Sequence, residues 1–144
     1  MRRFAMEKLE KWKNSKRRKP LIIMGARQVG KTWLMKEFGK KYYKKVAYVS
    51  FYNNERMKSV FDMDFDINRI IMNLNIESGV SITPEDTLII LDEIQEAPKV
   101  SESLKYFCED APEYHVVTAG SLLGVAIHQC VSYPVGKVDL LDLY

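Results

Sequence analysis

Short apolar runs alternate along the chain with stretches in which hydrophobic residues recur at helical spacing. Leu21, Ile22, Ile23 and Met24, bounded by Pro20 and Gly25, form the continuous apolar run of a buried parallel strand. Trp33, Leu34, Met35 and Phe38 then follow at helical spacing, and Gly39 suits the position that ends such a helix. Val46 to Phe51, rich in β-branched and aromatic residues, reads as a second strand broken by Tyr52-Asn53-Asn54. The segment from Glu55 to Phe65 is poorly periodic and reads as mixed helix and loop. Asp66 suits the N-cap of a helix with Ile67, Ile70, Ile71 and Leu74 on one face, closed by Gly79. Thr87 to Leu91 is a third strand, and Pro98 starts a helix that turns Val100, Leu104, Phe107 and Cys108 inward. His115 to Ala119 is a fourth strand, Leu122 to His128 a further helix, and Val138 to Tyr144 a fifth strand. Ahead of all these, Phe4, Met6, Leu9 and Trp12 spaced among charges predict an amphipathic helix over 4–14, joined to the first strand by a basic connector. Strands alternating with helices in this way predict an α/β fold with a parallel sheet.

Composition narrows the class. At 144 residues, 47% apolar and 28% charged, the chain is expected to be one soluble globular domain with a single sizeable core. No apolar run reaches transmembrane length, and the longest, Val116 to Ile127, is interrupted by Thr118 and Ser121. The basic N-terminus has no apolar segment behind it, so no secretory signal is expected. Cys108 and Cys130 lack metal-ligand spacing and read as reduced core thiols of a cytoplasmic protein. His115 and His128 stand apart from any carboxylate pattern and read as surface or satisfied core histidines.

Charge is unevenly spread. Residues 1–45 carry sixteen Lys/Arg against three Glu, so the net +3 of the chain conceals a basic first third and an acidic remainder. Such a block can contact DNA or raise the local potential for a polyanion. It can equally be the solvated face of two helices.

The chemistry concentrates at Gly25 to Thr32, GARQVGKT, which fits G-x-x-x-x-G-K-[ST]. A glycine-bounded loop curls so that successive backbone N–H groups point at a polyphosphate, and the following helix turns its N-terminus to the same anion. Gly25, Ala26, Arg27, Gln28, Val29 and Gly30 would cradle the phosphates. Lys31 would reach the β- and γ-phosphates, and the Thr32 hydroxyl would hold Mg2+. The run Thr87 to Leu91 ends in Asp92-Glu93, four large hydrophobics and two acids. Asp92 at the end of a buried strand can bind Mg2+ through water, and Glu93 can orient and deprotonate an attacking water. The bland alternative is that these acids only cap the next helix. Ser121, with Thr118 as second choice, is a candidate sensor of the γ-phosphate, although Ser121 would also serve as an N-cap.

Taken together, GARQVGKT, TLIILDEIQEAP, LKYFCEDAPEYHVVTAGSLLGV and YPVGKVDLLDLY resemble the prokaryotic AAA-type ATPases of the AAA_14 kind, over about residues 5–144. The resemblance implies a three-layer P-loop NTPase (AAA+-like) with a parallel five-stranded sheet of order 5-1-4-3-2. Right-handed βαβ crossovers make that topology reasonable in their own right. It also implies that Gly25 to Thr32 bind nucleotide, with adenine inferred from the family alone, that Asp92 serves Mg2+, that Glu93 serves water and that Ser121 senses the γ-phosphate. Residues 1–144 are expected to be a single nucleotide-binding domain, with helix and connector 1–20 and core 21–144, without the lid and C-terminal domain of relatives. The last arginine is Arg69, so this stretch supplies no late arginine finger, which where present is worth about 10³–10⁵ in rate.

The leading expectation is therefore Mg-ATP binding with slow hydrolysis, ATP or ADP as ligand, and a homo-oligomer completing the site. The second is a non-hydrolysing module whose nucleotide-held shape is read by a protein or by DNA through the basic block. A third, a small phosphotransferase, lacks an arginine-rich lid and an acceptor-binding pattern. No membrane contact is expected.

Overall fold

The computed structural model describes residues 2–25, 30–120 and 136–143. In chain order they form α1 (Arg2–Asn14), β1 (Leu21–Gly25), α2 (Lys31–Tyr42), β2 (Lys45–Ser50), α3 (Glu55–Met63) and α4 (Ile67–Ser78). There follow β3 (Thr87–Asp92), a 3-10 turn (Ile94–Glu96), α5 (Pro98–Asp110), β4 (His115–Ala119) and β5 (Asp139–Leu143). The five strands make one parallel sheet of order β2-β3-β4-β1-β5, which is the order that the family resemblance implies, written from its other edge.

Strand alternation divides the core into two. Ile89 and Leu91 of β3 face one side, where α3, α4 and α5 contribute Met57, Phe61, Ile70, Leu74, Leu104 and Phe107. Leu88 and Ile90 face the other, against Leu9 and Trp12 of α1 and Leu34, Met35 and Phe38 of α2. Helices thus cover both faces, which explains why β3 reads as an unbroken apolar run. Burying each of these large side chains contributes about 1.5–3 kcal/mol relative to exposure.

Two expectations change. Gly39 does not end its helix, because α2 runs on to Tyr42. Gly39 is buried inside it, and a Cβ there would meet Val46 Cγ2 at 2.6 Å and Leu88 Cδ2 at 3.1 Å. Its service is close approach of α2 to the sheet, not helix termination. The segment 55–65 holds a regular helix, α3, capped by the Asn54 side chain accepting from the Met57 N–H. Met57, Val60 and Phe61 bury one face of it, a short stripe that the surrounding charges hide in the sequence. Asp66 and Gly79 act as expected, the first accepting from the Asn68 and Arg69 N–H groups and the second closing α4 with φ 73°. Cys108 is half-buried, while Cys130, His128 and the expected helix Leu122 to His128 lie outside the described residues. Among the described residues no helix is long and apolar enough to cross a membrane.

His115 is a core histidine. It is 4% exposed at the head of β4, its Nδ1 shares a 2.6 Å hydrogen bond with the Tyr43 hydroxyl, and the Trp12 ring packs edge-on at 5.9 Å. Burial first, then the charges of Arg18 and Lys13, push its pKa from 6.5 down to about 4. The unfolded chain therefore takes up this proton near pH 6.5 and the folded one only near pH 4. The stability His115 supports is complete above pH 6.5 and is lost as the pH falls toward 4. Urea melts between pH 7 and 4.5 should show wild type losing more stability than His115→Gln. Equal losses would contradict this assignment.

Candidate functional site

Parallel strands put all their carboxyl ends along one edge of a sheet, and crevices beyond those ends are where open α/β sheets take ligands. Here β1 ends at Gly25, β3 at Asp92 and β4 at Ala119, followed by Gly120. With β4 between β1 and β3, the start of α2 comes within reach of the end of β3. The Thr32 hydroxyl donates to Asp92 Oδ2 at 2.6 Å across 60 residues of sequence.

Asp92 is only 4% exposed, and a buried carboxylate is costly unless donors surround it. Besides Thr32, the Tyr48 hydroxyl donates to the same Oδ2 at 2.7 Å, and the Glu93 backbone N–H donates to Oδ1 at 2.9 Å. Register explains how Tyr48 gets there. Ser50 of β2 pairs with Asp92, so Tyr48 is the diagonal neighbour on the same face, within reach of a long aromatic side chain. The Lys36 ammonium sits 4.1 Å from the centre of the Tyr48 ring. Burial, and after it the carboxylate of Asp92, raises the Tyr48 pKa well above its ordinary value, so the hydroxyl stays a donor.

Lys31 opens α2 and is 7% exposed. Its Nζ donates to the carbonyl of Gly25 at 2.6 Å and of Gly120 at 2.7 Å, tying the ends of β1 and β4 together. Gly30 caps the helix at φ 76°, a left-handed conformation that favours glycine, although a Cβ there would meet nothing within 4 Å. The requirement at Gly30 is an angle, not space.

Glu93 follows Asp92 at φ 57°, an uncommon conformation for a side-chain-bearing residue. It turns the chain from the strand into the 3-10 turn, and its Oε1 accepts from Gln95 Nε2 at 2.6 Å. Behind this pair lies Gly120, where a Cβ would stand 2.7 Å from Gln95 Oε1 and 3.3 Å from the Gln95 backbone nitrogen. One residue thus touches both the lysine, through its carbonyl, and the glutamine that holds Glu93.

Gly25, Gly30, Lys31, Thr32, Asp92 and Glu93, all selected from the sequence, come together at this edge. Ala26, Arg27, Gln28, Val29 and Ser121 lie outside the described residues. Thr118, the second choice for a sensor, is fully buried and its hydroxyl donates to the Leu21 carbonyl at 3.2 Å, inside the sheet. Tyr48, Gln95 and Gly120 are not among the residues that the sequence singles out. Gln95 stands in plain view two residues past Glu93, but Tyr48 requires the strand register and Gly120 the packing.

Among the described residues no cluster of three or more His, Cys, Asp or Glu could hold a metal alone. The oxygens of Thr32 and Asp92 nonetheless fit Mg2+, a hard cation commonly held by one or two carboxylates together with phosphate oxygens.

Known proteins agree with this architecture. The chain is similar in structure to PCH-2 of C. elegans, with a TM-score of 0.57, 12% identity, and coverage of 98% of this chain and 42% of that one. It is similar to AMPPCP-bound DnaA from Aquifex aeolicus (TM-score 0.51, 19% identity, 98% and 44% covered). The same holds for ORC1 of Aeropyrum pernix, solved in complex with DNA (TM-score 0.55, 15% identity, 99% and 44% covered). At such identities the likeness speaks for the fold, and the chain spans less than half the length of these structures. No curated protein sequence matches. The family model AAA_14, described as an AAA domain, matches residues 17–144, and the chain belongs to that family.

Proposed function

We propose that this chain binds Mg-ATP at the carboxyl ends of β1, β3 and β4 and hydrolyses it. The observation that carries the reading is the 2.6 Å bond between the Thr32 hydroxyl and Asp92, with Lys31 buried beside it. Two motifs far apart in sequence supply one cluster of ammonium, hydroxyl and carboxylate, the groups that phosphate and a divalent cation require. Membership of an AAA domain family supports nucleotide as the ligand.

In this reading the loop 25–30 and the N-terminus of α2 receive the phosphates through backbone N–H groups. Lys31 exchanges the carbonyls of Gly25 and Gly120 for β- and γ-phosphate oxygens, bringing its positive charge to the transferred group. Thr32 and Asp92 would hold Mg2+, which when bound offsets charge on the phosphate oxygens. Glu93 accepts the proton of the attacking water, and Gln95 fixes the direction of that carboxylate before the reaction. Ser121 remains the proposed γ-phosphate sensor. Arg2, Arg3 or Arg27 of a neighbouring copy, or Lys137, are the cations within residues 1–144 that we assign to complete the site between copies. A second reading, a nucleotide-held binding module for a protein or DNA, is supported by the sixteen Lys/Arg of residues 1–45.

Phosphate release from Mg-ATP, measured over a range of protein concentrations, separates the two. We expect turnover that rises with concentration and falls by about 10²–10⁴ in Glu93→Gln, the usual worth of a general base. Release that is flat and equal in the variant would leave only the binding module. Lys31→Ala should weaken nucleotide binding by about 10–100-fold, the worth of a hydrogen bond to a charged group, and undiminished binding would contradict the site. Gly120→Ala should displace Gln95 and slow turnover on the order of tenfold, less than the ~10² that a 1 Å misplacement can cost. Combined with Gln95→Ala, it should add little further, whereas additive losses would disprove the coupling.

A further inference from the structure

The two oxygens of Asp92 are differently employed. A carboxylate oxygen offers about two acceptor positions. Oδ2 receives the Thr32 hydroxyl at 2.6 Å and the Tyr48 hydroxyl at 2.7 Å, so both are taken. Among the described residues, Oδ1 receives the Glu93 N–H alone, at 2.9 Å.

We infer that Tyr48 is a positioning residue for the divalent cation. Its hydroxyl saturates Oδ2, fixes the plane of the Asp92 carboxylate and leaves Oδ1 as the oxygen turned to the hydration shell of the ion. The inference rests on the reading above, in which Thr32 and Asp92 hold Mg2+. Tyr48 itself does not touch the ion and acts through Asp92.

Three features suit the residue to this task. Tyr48 stands on β2, whose backbone is paired with β3 from Lys45↔Thr87 to Ser50↔Asp92, so its origin is rigid. The Lys36 ammonium, 4.1 Å from the ring centre, restrains the ring from the α2 side. The donor arrives from the strand next to the one bearing Asp92, whereas Thr32 arrives from the helix that also bears Lys31. With both in place the carboxylate is gripped from two elements and cannot rotate with either alone. Thr32 can then turn its oxygen to a cation while keeping its proton on Asp92. Outer groups of this kind are worth about 10–100-fold in metal affinity in other sites.

A purely structural role is the competing account, in which Tyr48 only satisfies a buried carboxylate. Tyr48→Phe distinguishes them, since it keeps the ring and its contact with Lys36 and removes one hydroxyl. The binding of a fluorescent mant-ATP probe would be followed in wild type and variant as MgCl2 is added, and again in EDTA. We expect the MgCl2 midpoint to rise about tenfold in the variant with affinity in EDTA little changed, beside a lower melting temperature because buried Asp92 loses one of its three donors. An unchanged midpoint, or an equal loss of affinity with and without Mg2+, overturns the inference. Wild type that binds no mant-ATP under any condition overturns the nucleotide reading and this inference with it. Wild type that binds while the variant shares its midpoint overturns this inference alone.

Discussion

Asp92 is a carboxylate sealed under the end of a sheet, and it is tolerable there only because three parts of the chain bring it a donor each. Thr32 comes from α2, Tyr48 from β2, and the third is the N–H of the following residue. Those donors converge because the strands are parallel and because β4 lies between β1 and β3. A strand order that carried α2 and β2 away from β3 would leave this buried charge with the Glu93 N–H alone among these donors, at a cost of several kcal/mol. The fold and the site are therefore one constraint seen at two scales. The same economy governs Lys31, whose buried ammonium is met by carbonyls at the ends of β1 and β4.

The sheet does not merely present residues; it links them. Lys31 bonds the Gly120 carbonyl, Gly120 leaves room for Gln95, and Gln95 holds Glu93. A ligand that draws Lys31 away from Gly120 acts on a residue packed directly against the group that orients Glu93. On the proposed reading, the lysine and the carboxylate of the site are thus joined through Gly120 and Gln95. Glu93 at φ 57° marks where this arrangement is held against ordinary backbone preference.

Much of this is legible in the sequence. The GARQVGKT segment and the acidic strand end announce themselves because each combines a rigid spacing with a buried strand, and buried parallel strands leave long apolar runs. The strand order came from resemblance, aided by the handedness of crossovers. What escaped the sequence depends on quantities that a sequence does not carry. Gly39 is conformationally ordinary and is glycine only because Val46 lies 2.6 Å from where its Cβ would be. Tyr48 looks like any aromatic residue of a strand until the register sets it diagonal to Asp92. Helix α3 was obscured because only three of its nine residues are buried, too few for periodicity to emerge among charges.

We hold that Lys31, Thr32 and Asp92 form one nucleotide and cation site, and a crystal structure of the chain with MgCl2 and a non-hydrolysable ATP analogue is the decisive test. Phosphate oxygens are expected within hydrogen-bonding distance of Lys31 Nζ, and a cation beside Thr32 with Asp92 facing its waters. A nucleotide bound elsewhere, with Lys31 still on the carbonyls of Gly25 and Gly120 and Thr32 still turned away from the ion, would contradict it.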